Sequence, residues 1–364
     1  MFSLLTSVSL LTALTPSLIQ ARFATQGSSN VAVYWGQASG GMEQKNLATY
    51  CADSNIDIIP MAFLFQMTTG VGGEPVIDFS SSSKSCTTFN GTGLLECPEI
   101  AKDISTCQTQ YNKTILLSIG GATYTEGGFQ SEDAATKGAK KIWETFGPKQ
   151  DNSTALRPFG DVSLDGFDFD FESVITNMVP FGKTLRSLMD DRTSKTGTKY
   201  FITAAPQCPY PDAADNEMLD GQVYFDAVFV QFYNNYCGVQ SFQPDAANQT
   251  SFNYNTWDEW ARTKSLNKGV KVFVGVPAGP TAAGTGYVPV ETLTKVIDYA
   301  KGFDSFGGVM MWDAAQAYAN QGFLPGVKGA VGHVKRRRMI RRDGGERDRL
   351  APFRRPAIRG ARWR

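Results

Sequence analysis

Eight runs rich in β-branched and aromatic residues, separated by helical patterns, constrain the fold of this chain more than any other feature. They lie at 31–36, 56–65, 114–121, 166–172, 200–206, 227–234, 271–278 and 306–313. Most are continuously apolar rather than alternating, as expected of strands in a parallel sheet covered on both faces. Between them, Ala134, Ala135, Ala139, Ile142, Trp143 and Phe146 fall on one face of a helix, as do Leu293, Val296, Ile297 and Ala300. Eight alternating β and α units in 364 residues predict an α/β fold built as a single (β/α)8 barrel. A doubly wound open sheet is the rival. It usually binds nucleotides at a Gly-rich first turn, and Gly36-Gln37-Ala38-Ser39-Gly40-Gly41 lacks the GxGxxG spacing.

One of these runs carries the chemistry. Asp165-Gly166-Phe167-Asp168-Phe169-Asp170-Phe171-Glu172 alternates acid and aromatic. Successive side chains of a strand point to opposite faces, so Asp168, Asp170 and Glu172 share one face and Phe167, Phe169 and Phe171 the other. Three carboxylates on one buried face repel each other and resist desolvation unless they share protons, and proton sharing is what acid–base catalysis requires. An amphipathic edge strand or a cation site are the other readings. The alternate Phe residues argue against a wet edge, and a calcium or magnesium site favours a flexible loop with interleaved Asn, Ser or Gly.

The ends of the chain differ from its body. Residues 335–364 hold 13 Lys/Arg and 3 Asp/Glu, a net charge of +10, which leaves 22 basic and 32 acidic groups in the rest, a net of −10. Residues 331–364 are therefore expected to form a basic tail with too few apolar residues for a core. It would serve attachment to an acidic wall polymer, membrane or nucleic acid, be removed at Lys335-Arg336-Arg337-Arg338, or reflect a wrong gene boundary. Residues 1–21 resemble a secretory signal peptide cleaved near Ala21, although no basic residue follows Met1. No later segment is long and apolar enough to span a membrane.

Six cysteines, Cys51, Cys86, Cys97, Cys107, Cys208 and Cys237, form no CxxC pair, which favours disulfides in an exported protein over zinc. Sequons beginning at Asn90, Asn112, Asn152 and Asn248 would make it a glycoprotein on export. The single histidine, His333, stands at the edge of the tail. A Ser-His-Asp triad, a Cys-His pair and a His-ligated metal centre each lack their key residue, so neither metal nor cofactor is expected. Carboxylates, Tyr and Trp remain. At the carboxyl ends of barrel strands, where such folds place their chemistry, Tyr34, Gln37, Phe63, Gln66, Ser118, Gly120, Gly121, Gln207, Gln231, Tyr233, Asn234 and Trp312 should ring the acids. Aromatic faces and amides of this kind suit sugars.

These residues resemble those of glycoside hydrolase family 18. The acidic run fits its DxxDxDxE signature and Ser118-Ile119-Gly120-Gly121 its SxGG signature. Tyr34-Trp35-Gly36-Gln37, Thr203-Ala204-Ala205-Pro206-Gln207-Cys208-Pro209 and Gln231-Phe232-Tyr233-Asn234-Asn235 look like the single-domain class III chitinases of plants and fungi, the hevamine type. The resemblance spans most of a catalytic barrel placed at 28–330. It implies a secreted, monomeric endochitinase, free outside the cell or associated with its wall, acting on chitin or GlcNAc oligosaccharides with no nucleic acid as partner. Glu172 would be the general acid, Asp170 would hold the acetamido group whose oxygen attacks the anomeric carbon, and Asp168 would share a proton with Asp170. Asp165 and Ser118 would support them. Tyr233 would hydrogen-bond the acetamido group or the oxazolinium ion, and Trp312 would floor the sugar subsite. Tyr34, Phe63, Gly121, Gln231 and Asn234 complete the expected substrate-binding set. The implied disulfides are Cys51–Cys107, Cys86–Cys97 and Cys208–Cys237. Only about 27 residues separate the last two strands, too few for the α+β insertion of larger relatives, which implies an open cleft and mid-chain cutting. A non-catalytic lectin or inhibitor on the same barrel, and an endo-β-N-acetylglucosaminidase acting on N-glycans, are the alternatives.

Overall fold

The computed structural model describes residues 23–246 and 248–333. The expected signal peptide, and the basic tail from residue 334 onward, lie outside the described residues. At the expected start of the tail, Val331 and Gly332 instead complete the last helix of the barrel, with Val331 buried. All eight expected strands form: β1 (Asn30–Val33), β2 (Ile58–Gln66), β3 (Thr114–Gly120), β4 (Gly166–Asp170), β5 (Phe201–Ala204), β6 (Ala227–Gln231), β7 (Lys271–Pro277) and β8 (Phe306–Trp312). Each is parallel to its neighbours, and β1 pairs with both β8 and β2, which closes the sheet into a (β/α)8 barrel. Closure removes the two exposed edges that an open sheet would leave.

Helices α1 (Leu47–Cys51), α2 (Pro98–Thr109), α3 (Glu132–Phe146), α4 (Met178–Thr196), α5 (Asn216–Leu219), α6 (Tyr254–Thr263), α7 (Val290–Ala300), α8 (Ala314–Ala319) and α9 (Phe323–Gly332) follow the strands. Ser131 caps α3, its hydroxyl accepting from the Ala134 N–H at 3.2 Å, and Glu132 and Asp133 fill the first turn where the helix dipole favours acids. Beyond that turn, Ala135, Ala139, Ile142, Trp143 and Phe146 are buried, and α7 buries Leu293, Val296, Ile297 and Ala300. No described helix is long and apolar enough to cross a membrane.

The strand alternation divides the core in two. Phe167, Phe169 and Phe171 point outward into the layer between sheet and helices, with Phe181, Leu185 and Phe225. The barrel interior holds Ala32, Ile58, Leu116, Phe229, Phe273 and Met310, and Phe23 packs among them, 5.1 Å from the Phe201 ring. Each fully buried side chain of this size contributes about 1.5–3 kcal/mol.

The strands end earlier than their composition suggests. The expected run 166–172 leaves the ladder at Asp170, 227–234 at Gln231 and 31–36 at Val33. At the rim Gly36, Gly120, Gly121 and Asn234 take positive φ angles of 131°, 118°, 84° and 55°, a backbone that departs from the strand conformation. Apolar sequence continues past these points because the rim packs loops and lines a cleft. The long excursion between β2 and α2 also carries elements that were not expected. Val76–Ile77 pairs antiparallel to β2, and a two-stranded ribbon joins Thr87–Thr88 to Leu95–Glu96.

All three implied disulfides are present, Cys51–Cys107, Cys86–Cys97 and Cys208–Cys237, with Cα–Cα separations of 5.2, 4.5 and 5.9 Å.

Candidate active site

Register brings the first acid together with its partners. Ser118 on β3 stands beside Asp168 on β4, which stands beside Thr203 on β5. With inward side chains in one layer, both neighbouring hydroxyls reach the carboxylate. Ser118 Oγ donates to Asp168 Oδ2 at 2.7 Å and Thr203 Oγ1 to Oδ1 at 2.6 Å. Tyr34, from the end of β1, donates its hydroxyl to Oδ2 at 2.6 Å. Asp168 is fully buried, and burial raises its pKa while these three donors oppose the rise.

Asp170 lies one layer nearer the carboxyl ends and is also buried, but it has a poorer set of donors. Gln231 Nε2 gives to Oδ1 at 2.9 Å and also to the Ala205 carbonyl at 2.9 Å. Burial pushes the Asp170 pKa well up, and the charges of Glu172, Asp168 and Asp212 push it further. Hydrogen bonds to the charged form are fewer at Asp170 than at Asp168, which favours Asp170 as the protonated member of the pair.

Glu172 stands beyond the ladder, and its side chain is open to solvent at the cleft. The surrounding walls raise its pKa first, and the charge of Asp212 second. Contact with solvent screens this shift relative to that of Asp170.

The cleft holds about 230 Å³. Asp170 and Glu172 face it together with Gln231, Tyr233 and Asn234 from the end of β6. Trp312 and Phe63 form an aromatic surface with ring centroids 5.8 Å apart and planes 22° apart. Gly121 makes room for Phe63, since a Cβ there would meet the ring at 2.7 Å. Burial and the neighbouring carboxylates hold the Tyr233 hydroxyl well above the ordinary tyrosine range, so it remains a donor. Asn234 Oδ1 accepts from the Thr285 N–H at 3.0 Å and ties this rim to the loop after β7.

Several expected residues do not line the cleft, Gln66, Ser118, Gly120, Gly121, Gln207 and Tyr34 among them, and Asp165 stands apart from it. Tyr34 is buried below the cleft and meets Asp168 there. Asp165 precedes β4, at the amino end of the barrel. Its Oδ2 accepts from the Ile115 N–H at 2.9 Å and from Gln108 Nε2 at 3.0 Å, joining β4 to β3 and α2. Sequence reasoning also passed over Thr203 as a ligand of Asp168, and over Asp212. Thr203 could have been found from the register alone. Asp212 lies in a loop after Pro211, where no periodic pattern marks a functional side chain.

Comparison with known proteins agrees with this geometry. Residues 30–287 match the family described as Glycosyl hydrolases family 18. The chain belongs to this family. It is 51% identical over 306 residues to a protein named Class III chitinase from Arthroderma benhamiae, covering 84% of this chain and 86% of that one. It is 46% identical over 331 residues to Endochitinase 33 of Trichoderma harzianum, covering 90% and 99%. Among solved structures, the xylanase and alpha-amylase inhibitor XAIP-II of Scadoxus multiflorus superposes with a TM-score of 0.66 at 31% identity, covering 83% of this chain and 99% of that one. This glycosyl hydrolase shares its barrel with both enzymes and an inhibitor.

Proposed function

We propose that this family 18 member is a chitinase, an exported endo-acting monomer that hydrolyses β-1,4 linkages of N-acetylglucosamine polymers with retention of configuration. One observation carries the reading. Of the three stacked acids, Glu172 is the exposed one, while Asp170 is buried in the cleft wall beside it, where burial and neighbouring charge favour its neutral form. Retaining hydrolysis normally uses a second ionised carboxylate as nucleophile, and substrate-assisted enzymes use the sugar's own N-acetyl group instead. A neutral Asp170 suits the second route.

In the first step Glu172 gives its proton to the glycosidic oxygen as the bond to the anomeric carbon breaks. The acetamido carbonyl oxygen forms a bond to that carbon, closing an oxazolinium ring. Asp170 accepts the acetamido N–H, its own proton turned toward Asp168, and this orients the attacking oxygen. Tyr233 donates to that oxygen. Trp312 and Phe63 present an apolar face to the pyranose. Glu172, now ionised, then takes a proton from water as the water oxygen attacks the anomeric carbon. The ring opens to the β-anomer and Glu172 is an acid once more.

Export is supported by three disulfides, which persist in oxidising compartments. Asn90, Asn152 and Asn248 are exposed and open to glycosylation there.

The experiment is hydrolysis of GlcNAc oligomers with product anomers resolved, run on the wild type and on Glu172→Gln. Wild type should release β-anomers, and Glu172→Gln should lose about 10²–10⁴-fold in rate with oligomer binding kept. Tight binding without cleavage by either protein would establish a lectin or inhibitor instead. Cleavage of N-glycans in preference to chitin oligomers would establish the endo-β-N-acetylglucosaminidase reading.

A further inference from the structure

The loop between β5 and α5 contains a second carboxylate constellation. Asp212 is 5% exposed, and its two oxygens are spent on backbone. Oδ2 accepts from the Gln207 N–H at 3.0 Å, and Oδ1 accepts from Ala214 at 2.9 Å and Asp215 at 2.6 Å. Burial raises the Asp212 pKa, and these N–H donors oppose the rise by favouring its ionised form. Asp215 contrasts with it: fully buried, with neither carboxyl oxygen hydrogen-bonded. A buried unpaired charge is far more costly than a neutral acid, so Asp215 carries a proton and the negative charge of this loop rests on Asp212.

From Asp212 the contacts lead directly to the reacting groups. Gln207, held by Asp212, pairs with Gln231 across the β5–β6 seam, and its Oε1 accepts from Asn235 Nδ2 at 3.0 Å. Gln231 in turn donates to Asp170. We propose that Asp212 is a positioning residue for the hydrolysis, fixing Gln207 and Gln231 against Asp170 and, once ionised, presenting a negative charge to Glu172. This rests on Glu172 being the acid. The titratable groups around Glu172 are Asp168 and Asp170 on its own strand, Asp212 and Asp215 on the β5–α5 loop, and Tyr233 at the end of β6. Of their charges, that of Asp212 acts to keep a proton on Glu172.

The sign follows. A general acid must be protonated, and removing a nearby negative charge lets it ionise at lower pH. Asp212→Asn should therefore move the alkaline limb of kcat/KM downward by about 0.5–1 pH unit. It should lower kcat at pH 7 about 3–10-fold, with KM for soluble oligomers less affected. Asp215→Asn exchanges one neutral group for another and should leave the limb where it is. A folded Asp212→Asn with an unmoved limb would overturn the proposal, as would a limb that moves equally in both variants. If Asp212→Asn does not fold, the carboxyl ¹³C titration of wild-type Glu172, assigned with Glu172→Gln, answers the same question. A second inflection as Asp212 ionises supports the coupling, and a single inflection overturns it. Activity retained by Glu172→Gln would instead remove the acid assignment itself, whatever Asp212 does.

Discussion

Asp168 and Asp170 are neighbours on one face of one strand, and their surroundings divide the proton between them. Asp168 receives hydroxyl hydrogens from Tyr34, Ser118 and Thr203, while Asp170 receives one amide hydrogen and the repulsion of acids on both sides. Holding Asp170 neutral lowers stability at neutral pH. Its folded pKa lies well above the unfolded one, so the folded chain binds more protons between the two values. Stability from this group is full below about pH 4, its unfolded value, and falls as pH rises toward the folded one. Asp170→Asn removes that dependence. At pH 7 the variant should melt about 1–2 °C higher than wild type for each kcal/mol regained, the shift expected in a domain of this size. The difference should vanish near pH 3.5, while hydrolysis is lost because the acetamido group is no longer oriented. Thermal melts at the two pH values check this, and a variant less stable at pH 7 would refute a neutral Asp170.

At the scale of elements, the ends of strands do the chemical work and are where sequence reading is weakest. The bodies of β3 and β6 are evident because apolar residues on both faces leave few other structures open to them, and that of β4 from its strict alternation of acid and Phe. Their ends are not, since Phe171, Glu172, Tyr233 and Asn234 extend the same composition past the last ladder bond. The acids themselves were legible, because alternation with Phe places them on one face whatever the register. Asp212 was not, because its role depends on where an irregular loop lands. Gly121 shows how such an end is built. It has a φ of 84°, its N–H donates to the Asp170 carbonyl at 2.6 Å, and Phe63 occupies the space a side chain would need. Gly121→Ala should therefore displace Phe63 from Trp312. The left-handed backbone adds about 1–2 kcal/mol of strain. Steady-state kinetics on soluble oligomers should show KM raised about 3–10-fold with a smaller fall in kcat, and an unchanged KM would show that Phe63 does not support the sugar.

For the molecule as a whole, the path of the chain between its last two strands determines how a polymer meets the site. From Pro277 to Phe306 the chain makes one loop and α7, and no domain stands there to wall the cleft. Asn234 and Thr285 bond across the rim at this point, so the loop after β7 stays low against β6. A cleft open along its length admits a polymer from the side, whereas a closed one must be entered from a chain end. The same catalytic residues would give different products in the two cases. Random internal cuts shorten the polymer quickly for each bond broken. With a soluble chitin derivative, viscosity should fall well ahead of the release of new reducing ends, and hexamer digestion should yield dimer, trimer and tetramer together. Disaccharide released alone, with viscosity falling only in proportion to new reducing ends, would mean that the long excursion between β2 and α2 closes one end of the cleft on the substrate.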